Sequence, residues 1–193
     1  DPASIDSCMI GGIVNNNSSG MCCGVSMNTY HTLKHLRLVL LDGTVLDTSE
    51  PESVAAFERS HAALLAGLSA IAAEIQADAE LAALVSKKFE IKCTTGYSLN
   101  AFVDVDPSEP IEILKKIIVG SEGTLGFVSR ATFRTVPEHP HKASAFVMFG
   151  SMHESGRATA ALRASGFVDA CELFDTASLR EAQPGVPSEP TMI

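Results

Sequence analysis

Between Val119 and Phe127 the chain reads VGSEGTLGF, with glycines at 120, 123 and 126. Neither a helix nor a strand tolerates that spacing in its interior, because each glycine there costs roughly 0.5–1 kcal/mol relative to alanine. The stretch must therefore be a junction. On its N-terminal side, PSEPIEILKKIIV predicts a short amphipathic helix from about Pro110, with Ile111, Leu114, Ile117 and Ile118 as its buried face. On its C-terminal side, FVSRATFRTVP alternates and predicts a strand from about Phe127 to Val136. A helix-to-strand junction with three glycines exposes several N–H groups at once, which suits an anion, a ribose or an adenine edge. Glu122 adds a carboxylate able to accept from ribose hydroxyls or backbone N–H groups. A tight turn that stabilises a sheet edge accounts for the same residues. Neither GxGxxG after a strand nor GxxxxGK[ST] is matched.

A second loop has similar chemistry. Residues 1–30 are rich in glycine, serine and asparagine, yet Met9, Ile10, Ile13, Val14, Met21 and Val25 are interspersed. The pattern predicts a buried, ligand-wrapping loop with short helical turns. Gly11 and Gly12 allow close approach, and Asn15 to Gly20 supply amides, hydroxyls and N–H groups.

Between these loops, Leu36–Leu41 reads as a strand, Asp42-Gly43 as a type I′ hairpin turn and Thr44–Thr48 as the return strand. Ser49-Glu50-Pro51-Glu52 predicts a capping box, with Ser49 as N-cap. A helical region follows to about Lys87, with a stripe of Val54, Phe57, Leu64, Leu68, Ile71 and Ile75, and with Gly67 and Asp78 as possible breaks. His61 lies on that stripe and reads as a core-edge histidine. Pro137 to Pro140 punctuate a linker and mark a domain boundary. Beyond it, ASAFVMFG reads as a strand, HESGRATAALRASG as a helix capped by Gly166, and VDACELFD as a second strand. That is a βαβ-type beginning of another unit, with a frayed tail after about Arg180.

The totals narrow the function. A net charge of −9 and a pI near 5.1 argue against nucleic acid as the main partner. No apolar run reaches the roughly 18 residues of a transmembrane segment. The five cysteines are odd in number and contain no Cys-x-x-Cys, so they read as reduced cytosolic thiols. The six histidines form no HExxH, and His139-Pro-His141 is a weak metal pair; no metal site is expected. The start at DPAS and the Pro-rich end read as those of a piece of a longer protein.

Three segments together, DPASIDSCMIGGIVNNNSSG, KCTTGYSLNAFVD and IIVGSEGTLGFVSRATFRTVP, resemble one family. They look like the second subdomain of the FAD-binding domain of the vanillyl-alcohol-oxidase (PCMH-type) flavoproteins. Within that family the resemblance is to bacterial D-2-hydroxyacid dehydrogenases, of the D-lactate, D-2-hydroxyglutarate or glycolate kind, that carry a C-terminal iron–sulfur region. The resemblance implies an α+β fold with a mostly antiparallel sheet of four or five strands flanked by helices. Residues 1–136 would be the C-terminal half of the FAD-binding domain, with a peripheral helical insertion at about 50–87. Residues 137–193 would be a linker and the incomplete start of a cap domain that binds substrate.

The resemblance also implies FAD as cofactor. Ala3, Ser4, Ile5, Asp6, Ser7, Cys8 and Met9 would approach the pyrophosphate and flavin, with Ser4 and Ser7 as hydroxyl donors. Gly11, Gly12, Asn16, Asn17, Ser18 and Ser19 would follow on the same cofactor. Glu122, Gly123, Thr124, Leu125, Gly126, Phe127 and Val128 would line the adenosine side, largely through backbone. The parent would oxidise a small 2-hydroxy acid and pass electrons to an iron–sulfur cluster, a quinone or another carrier. Cluster cysteines and substrate ligands would lie outside this chain. The catalytic base is not identified; Tyr97 is the one candidate, against the simpler reading of a packed tyrosine with its hydroxyl bonded. The expected location is cytoplasmic, with peripheral attachment of the parent to the inner membrane as an alternative. A non-catalytic scaffold fragment that self-associates into a homo-oligomer, or a sibling alcohol or sugar oxidase, stays open beside this reading.

Overall fold

The computed structural model describes residues 4–94, 96–137, 139–182 and 191–192. The chain divides into two compact units, Asp1–Val136 and Pro137–Ile193.

The first unit is built on a three-stranded antiparallel sheet in the order β2–β1–β3, with β1 at Leu33–Val39, β2 at Val45–Asp47 and β3 at Phe127–Phe133. The central strand pairs Leu38 with Leu46 on one side and Leu38 with Val128 on the other. Strand β1 buries Leu33, Leu36 and Leu38. Leu33 and Leu36 are three apart and in a regular strand would face opposite ways. A register irregularity between Leu33 and His35 absorbs the extra residue and turns both inward. The sheet is smaller than the four or five strands expected; the strands beyond Val136 pair in a sheet of their own.

The hairpin forms with a different turn. Leu40 N–H donates to Thr44 O at 2.9 Å, and Gly43 N–H donates to Leu40 O at 3.0 Å. The loop therefore has three residues, and Gly43 takes positive φ (84°) while Asp42 does not. The Asp42 carboxylate instead accepts the Thr44 N–H at 2.9 Å, which removes the need for a type I′ turn.

Helices cover the sheet. They are α1 Ile10–Asn16, α2 Thr29–Thr32, α3 Pro51–Ser60, α4 Ala62–Ala77, α5 Ala79–Phe89, α6 Ala101–Asp104 and α7 Pro110–Ile118. The expected capping box is absent. Glu50 is the N-cap of α3, without a side-chain bond, and Pro51 opens the helix. The Ser49 hydroxyl is drawn instead to Asp47 Oδ1, at 2.6 Å. The helical region breaks at His61 and Asp78, whereas Gly67 sits unbroken inside α4. Phe57, Leu65 and Ala72 are buried, while Leu64 and Ile71 are exposed, so the stripe is turned by about one residue along α4. The insertion is not peripheral: these buried residues join the central core, and α4 packs on α6 and α7. Helix α7 buries Ile113, Leu114, Ile117 and Ile118, with Ile111 half-buried. No single helix among the described residues is long and apolar enough to cross a membrane.

The second unit holds β4 Met148–Phe149, α8 Met152–Ser165, α9 Thr176–Ala182 and β5 Thr191–Met192. Gly166 caps α8 in the left-handed region, at φ 69°. The predicted βαβ arrangement does not form: β4 pairs antiparallel with β5. The stretch expected as a second strand shows no regular strand; beyond it α9 begins, with Asp175 Oδ1 accepting the Ser178 N–H at 2.7 Å. The tail expected to fray after Arg180 lies mostly outside the described residues.

Candidate cofactor-binding site

The two glycine-rich segments, far apart in sequence, meet at the C-terminus of α1. A helix end leaves carbonyls without partners, and the 120–124 loop supplies donors to them. Gly120 N–H donates to Val14 O at 3.1 Å and Glu122 N–H to Asn15 O at 2.9 Å. Gly120 takes φ 86°, and a Cβ there would lie 2.9 Å from Gly96 O. Gly11 packs so closely on β3 that a Cβ would lie 2.9 Å from Val128 O. Gly126 is pressed against Leu38 and Val39. These three glycines serve close packing of backbone on backbone or side chain. Gly12 and Gly123 face open space.

The loop spends more of its N–H groups internally than the sequence suggests. Ser121 N–H donates to Ile118 O at 3.1 Å and Thr124 N–H to Ser121 O at 3.0 Å, in addition to the two bonds onto α1. Thr124 Oγ1 also donates to Ser121 O, at 2.6 Å.

The three consecutive asparagines each reach different partners. Asn15 Oδ1 accepts from Ser121 Oγ at 3.1 Å. Asn16 Nδ2 donates to Glu122 Oε1 at 2.7 Å, and its Oδ1 accepts from Ser18 Oγ at 2.8 Å. Asn17 is left-handed, at φ 55°. It is buried, and its amide is spent on both sides, donating to Cys93 O at 3.2 Å and accepting from Tyr30 N–H at 3.1 Å. Glu122 is also left-handed, at φ 52°.

Of the residues the resemblance assigns, Ala3 lies outside the described residues. Ser4 to Ser7 form an exposed turn in which Ser7 N–H and Cys8 N–H both donate to Ser4 O at 2.9 Å. Ile5, Asp6 and Met9 are exposed and Cys8 is half-buried, so this stretch is a surface turn and not a buried loop. Asn16, Glu122, Gly123, Thr124, Leu125 and Phe127 are exposed, Ser18 and Gly126 half-buried, and Val128 belongs to the core. Ser19 is half-buried, and its Oγ is shielded from solvent without a hydrogen-bond partner. Tyr97 is 44% exposed, and its hydroxyl meets Thr124 Oγ1 at 2.8 Å, on the glycine loop.

Sequence reading missed a second cluster directly behind Asn17. Tyr30 OH donates to Asp104 Oδ2 at 2.9 Å, and Asn100 Nδ2 donates to the same oxygen at 2.9 Å. Lys116 Nζ donates to Tyr30 O at 2.6 Å and lies 4.5 Å above its ring. Burial, then the Asp104 charge, pushes the Tyr30 phenol far up. Burial pulls the Lys116 ammonium down, and burial with the Lys116 charge pulls His31 down. Tyr30 and Asp104 are 74 positions apart, and no local pattern announces such a pair.

Residues 1–49 match the family model of an FAD binding domain. The match covers a quarter of the chain, from the first loop through the β1–β2 hairpin. No curated protein matches the chain. The match supports an FAD-linked flavoprotein, and the α+β architecture is consistent with a fragment of such a domain.

Part of the donor set fits a dinucleotide cofactor: hydroxyls remain, whereas the N–H groups of Ser7, Cys8, Gly120, Ser121, Glu122 and Thr124 are spent within the protein. A diphosphate can be held by neutral hydroxyls and N–H groups without a lysine. The exposed Ser4 hydroxyl is of that type, whereas the Ser7 hydroxyl donates to Ser4 O at 3.3 Å, and Gly12 and Gly123 leave room for close approach. The unpartnered Ser19 Oγ is a buried polar group that a ligand atom would satisfy.

Proposed function

We propose that this chain supplies one wall of the FAD site of a flavin-dependent oxidoreductase. We propose further that its parent oxidises a D-2-hydroxy acid, of the D-lactate, D-2-hydroxyglutarate or glycolate kind, to the 2-oxo acid. The observation that carries the cofactor reading is the docking of the 120–124 loop onto the end of α1, which joins the family-matched segment to the second glycine-rich stretch. The substrate reading rests on the resemblance of three segments.

Bound flavin would supply a two-electron acceptor for the hydride of the substrate α-carbon, with the hydroxyl proton going to a general base in the parent. The chain's own groups bind and orient. The Ser4 hydroxyl donates to the diphosphate, and Ser7, whose own hydroxyl donates to Ser4 O, shapes the turn that presents it. Glu122, with one oxygen engaged by Asn16, offers the other to ribose hydroxyls. Leu125 and Phe127, both exposed, give an apolar surface beside it. Tyr97 is held by Thr124 on the same loop, where it positions the glycine stretch. The parent would require a quinone, an iron–sulfur cluster or another carrier to take the electrons onward.

The test is the visible spectrum of the purified chain with and without added FAD, before and after desalting. Retained flavin bands near roughly 370 and 450 nm support the reading. Loss of all colour, with FAD recovered free, shows that this wall does not hold the cofactor alone. That result favours the scaffold reading, to which the internally spent N–H groups of Gly120, Ser121, Glu122 and Thr124 already lend weight. On the full-length parent, bleaching of the flavin by D-lactate or D-2-hydroxyglutarate tests the substrate class.

A further inference from the structure

A pocket with room of about 10 Å³, partly open to solvent on the side of Ile91, lies behind Asn17, lined on its polar side by Asn17, Asn28, Tyr30, His31, Cys93 and Asn100. A single internal water needs about 10–15 Å³ of such room and two to four polar partners. Asn100 is 6% exposed, and its Oδ1 is buried without a hydrogen-bond partner. Its amide cannot be turned over to cure this. The Nδ2 donates to Asp104 Oδ2, and a carboxylate only accepts, so the NH₂ group must face Asp104. A buried carbonyl oxygen left unpaired is costly, and native interiors rarely keep one. On the same wall, Asn28 Oδ1 is spent on the backbone N–H and the Nδ1 of His31, at 3.0 and 2.9 Å. Asn28 also lines the cavity, and its Nδ2 is the end of the amide not spent on His31.

We infer that this cavity is a binding site for one resident water, which donates to Asn100 Oδ1 and accepts from Asn28 Nδ2. The water ties the N-cap of α2 to the turn that opens α6, across the buried face of Asn17. It thereby backs the left-handed residue that ends α1 and leads into Ser18 and Ser19.

A crystal structure of the chain at near-atomic resolution is expected to show one solvent peak within about 3.2 Å of Asn100 Oδ1. An empty cavity, or a protein donor moved onto Asn100 Oδ1, overturns the inference. An independent check uses Val25→Ile, because Val25 lines the cavity and the added methylene fills it. Water-oxygen magnetic relaxation dispersion should then count one fewer long-lived water than in the unmodified chain. An unchanged count in a folded variant overturns the inference as well.

Discussion

Asn16 Nδ2 reaches Glu122 Oε1 at 2.7 Å across 106 positions of sequence, and the residue it holds is in the left-handed region at φ 52°. The bond offsets a conformation that costs a non-glycine residue roughly 1–2 kcal/mol. Glu122→Ala keeps the strain and loses the bond, so urea unfolding should show a loss of about 1 kcal/mol. Glu122→Gly loses the same bond but relieves the strain, so it should be more stable than Glu122→Ala. Equal stabilities for the two variants would contradict the geometry.

Gly120 and Gly123 share positive φ, at 86° and 78°, but differ in surroundings. A methyl at Gly123 meets open space, and one at Gly120 meets the Gly96 carbonyl at 2.9 Å. Gly123→Ala should cost about 1–2 kcal/mol from backbone strain alone. Gly120→Ala adds a clash with backbone that cannot move aside, and should cost at least 1 kcal/mol more. Thermal unfolding of the pair reads the difference directly.

Local signals carried the fold as far as they reach. The helix before the glycine stretch, the alternating strand after it and the Asp42-Gly43 hairpin are each written in a few neighbouring residues. The errors arise where a distant or competing partner decides. Ser49 has the right spacing for an N-cap, but the Asp47 carboxylate two residues back takes its hydroxyl. Asn17 has a ligand-like side chain, but Cys93 and Tyr30 consume it. The Tyr30–Asp104–Asn100 cluster joins residues 74 apart and has no period to detect. In the site, the glycine stretch was legible as a junction, whereas its docking on the end of α1 depends on tertiary packing.

The phase of α4 separates two adjacent leucines. Leu65 is 5% exposed and belongs to the core, while Leu64 is 41% exposed. The seven- and four-residue spacing of Leu64, Leu68 and Ile71 favours Leu64 as the inward residue, and the structure favours Leu65. Leu65→Ala should lose about 2–5 kcal/mol. Leu64→Ala should change stability by about 0.5 kcal/mol or less. Chemical denaturation of both variants decides which face packs.

Asp47 gives the first unit an acid-sensitive point. Burial alone would raise its carboxyl, but the Ser49 hydroxyl and N–H and the Arg130 guanidinium outweigh it and hold the group below its ordinary value. A carboxyl depressed in the folded state stabilises above its unfolded pKa of about 4, and that contribution is lost as pH falls through the lower folded value. Stability of the unmodified chain should therefore fall as pH drops below about 4. Asp47→Asn should be less stable at pH 7 and should show a shallower acid dependence, because it removes one group that takes up a proton on unfolding. Unfolding midpoints from pH 7 down to pH 3, for both proteins, measure this. Parallel curves would mean that Asp47 is not depressed and that its bonds to Ser49 and Arg130 do not persist in solution.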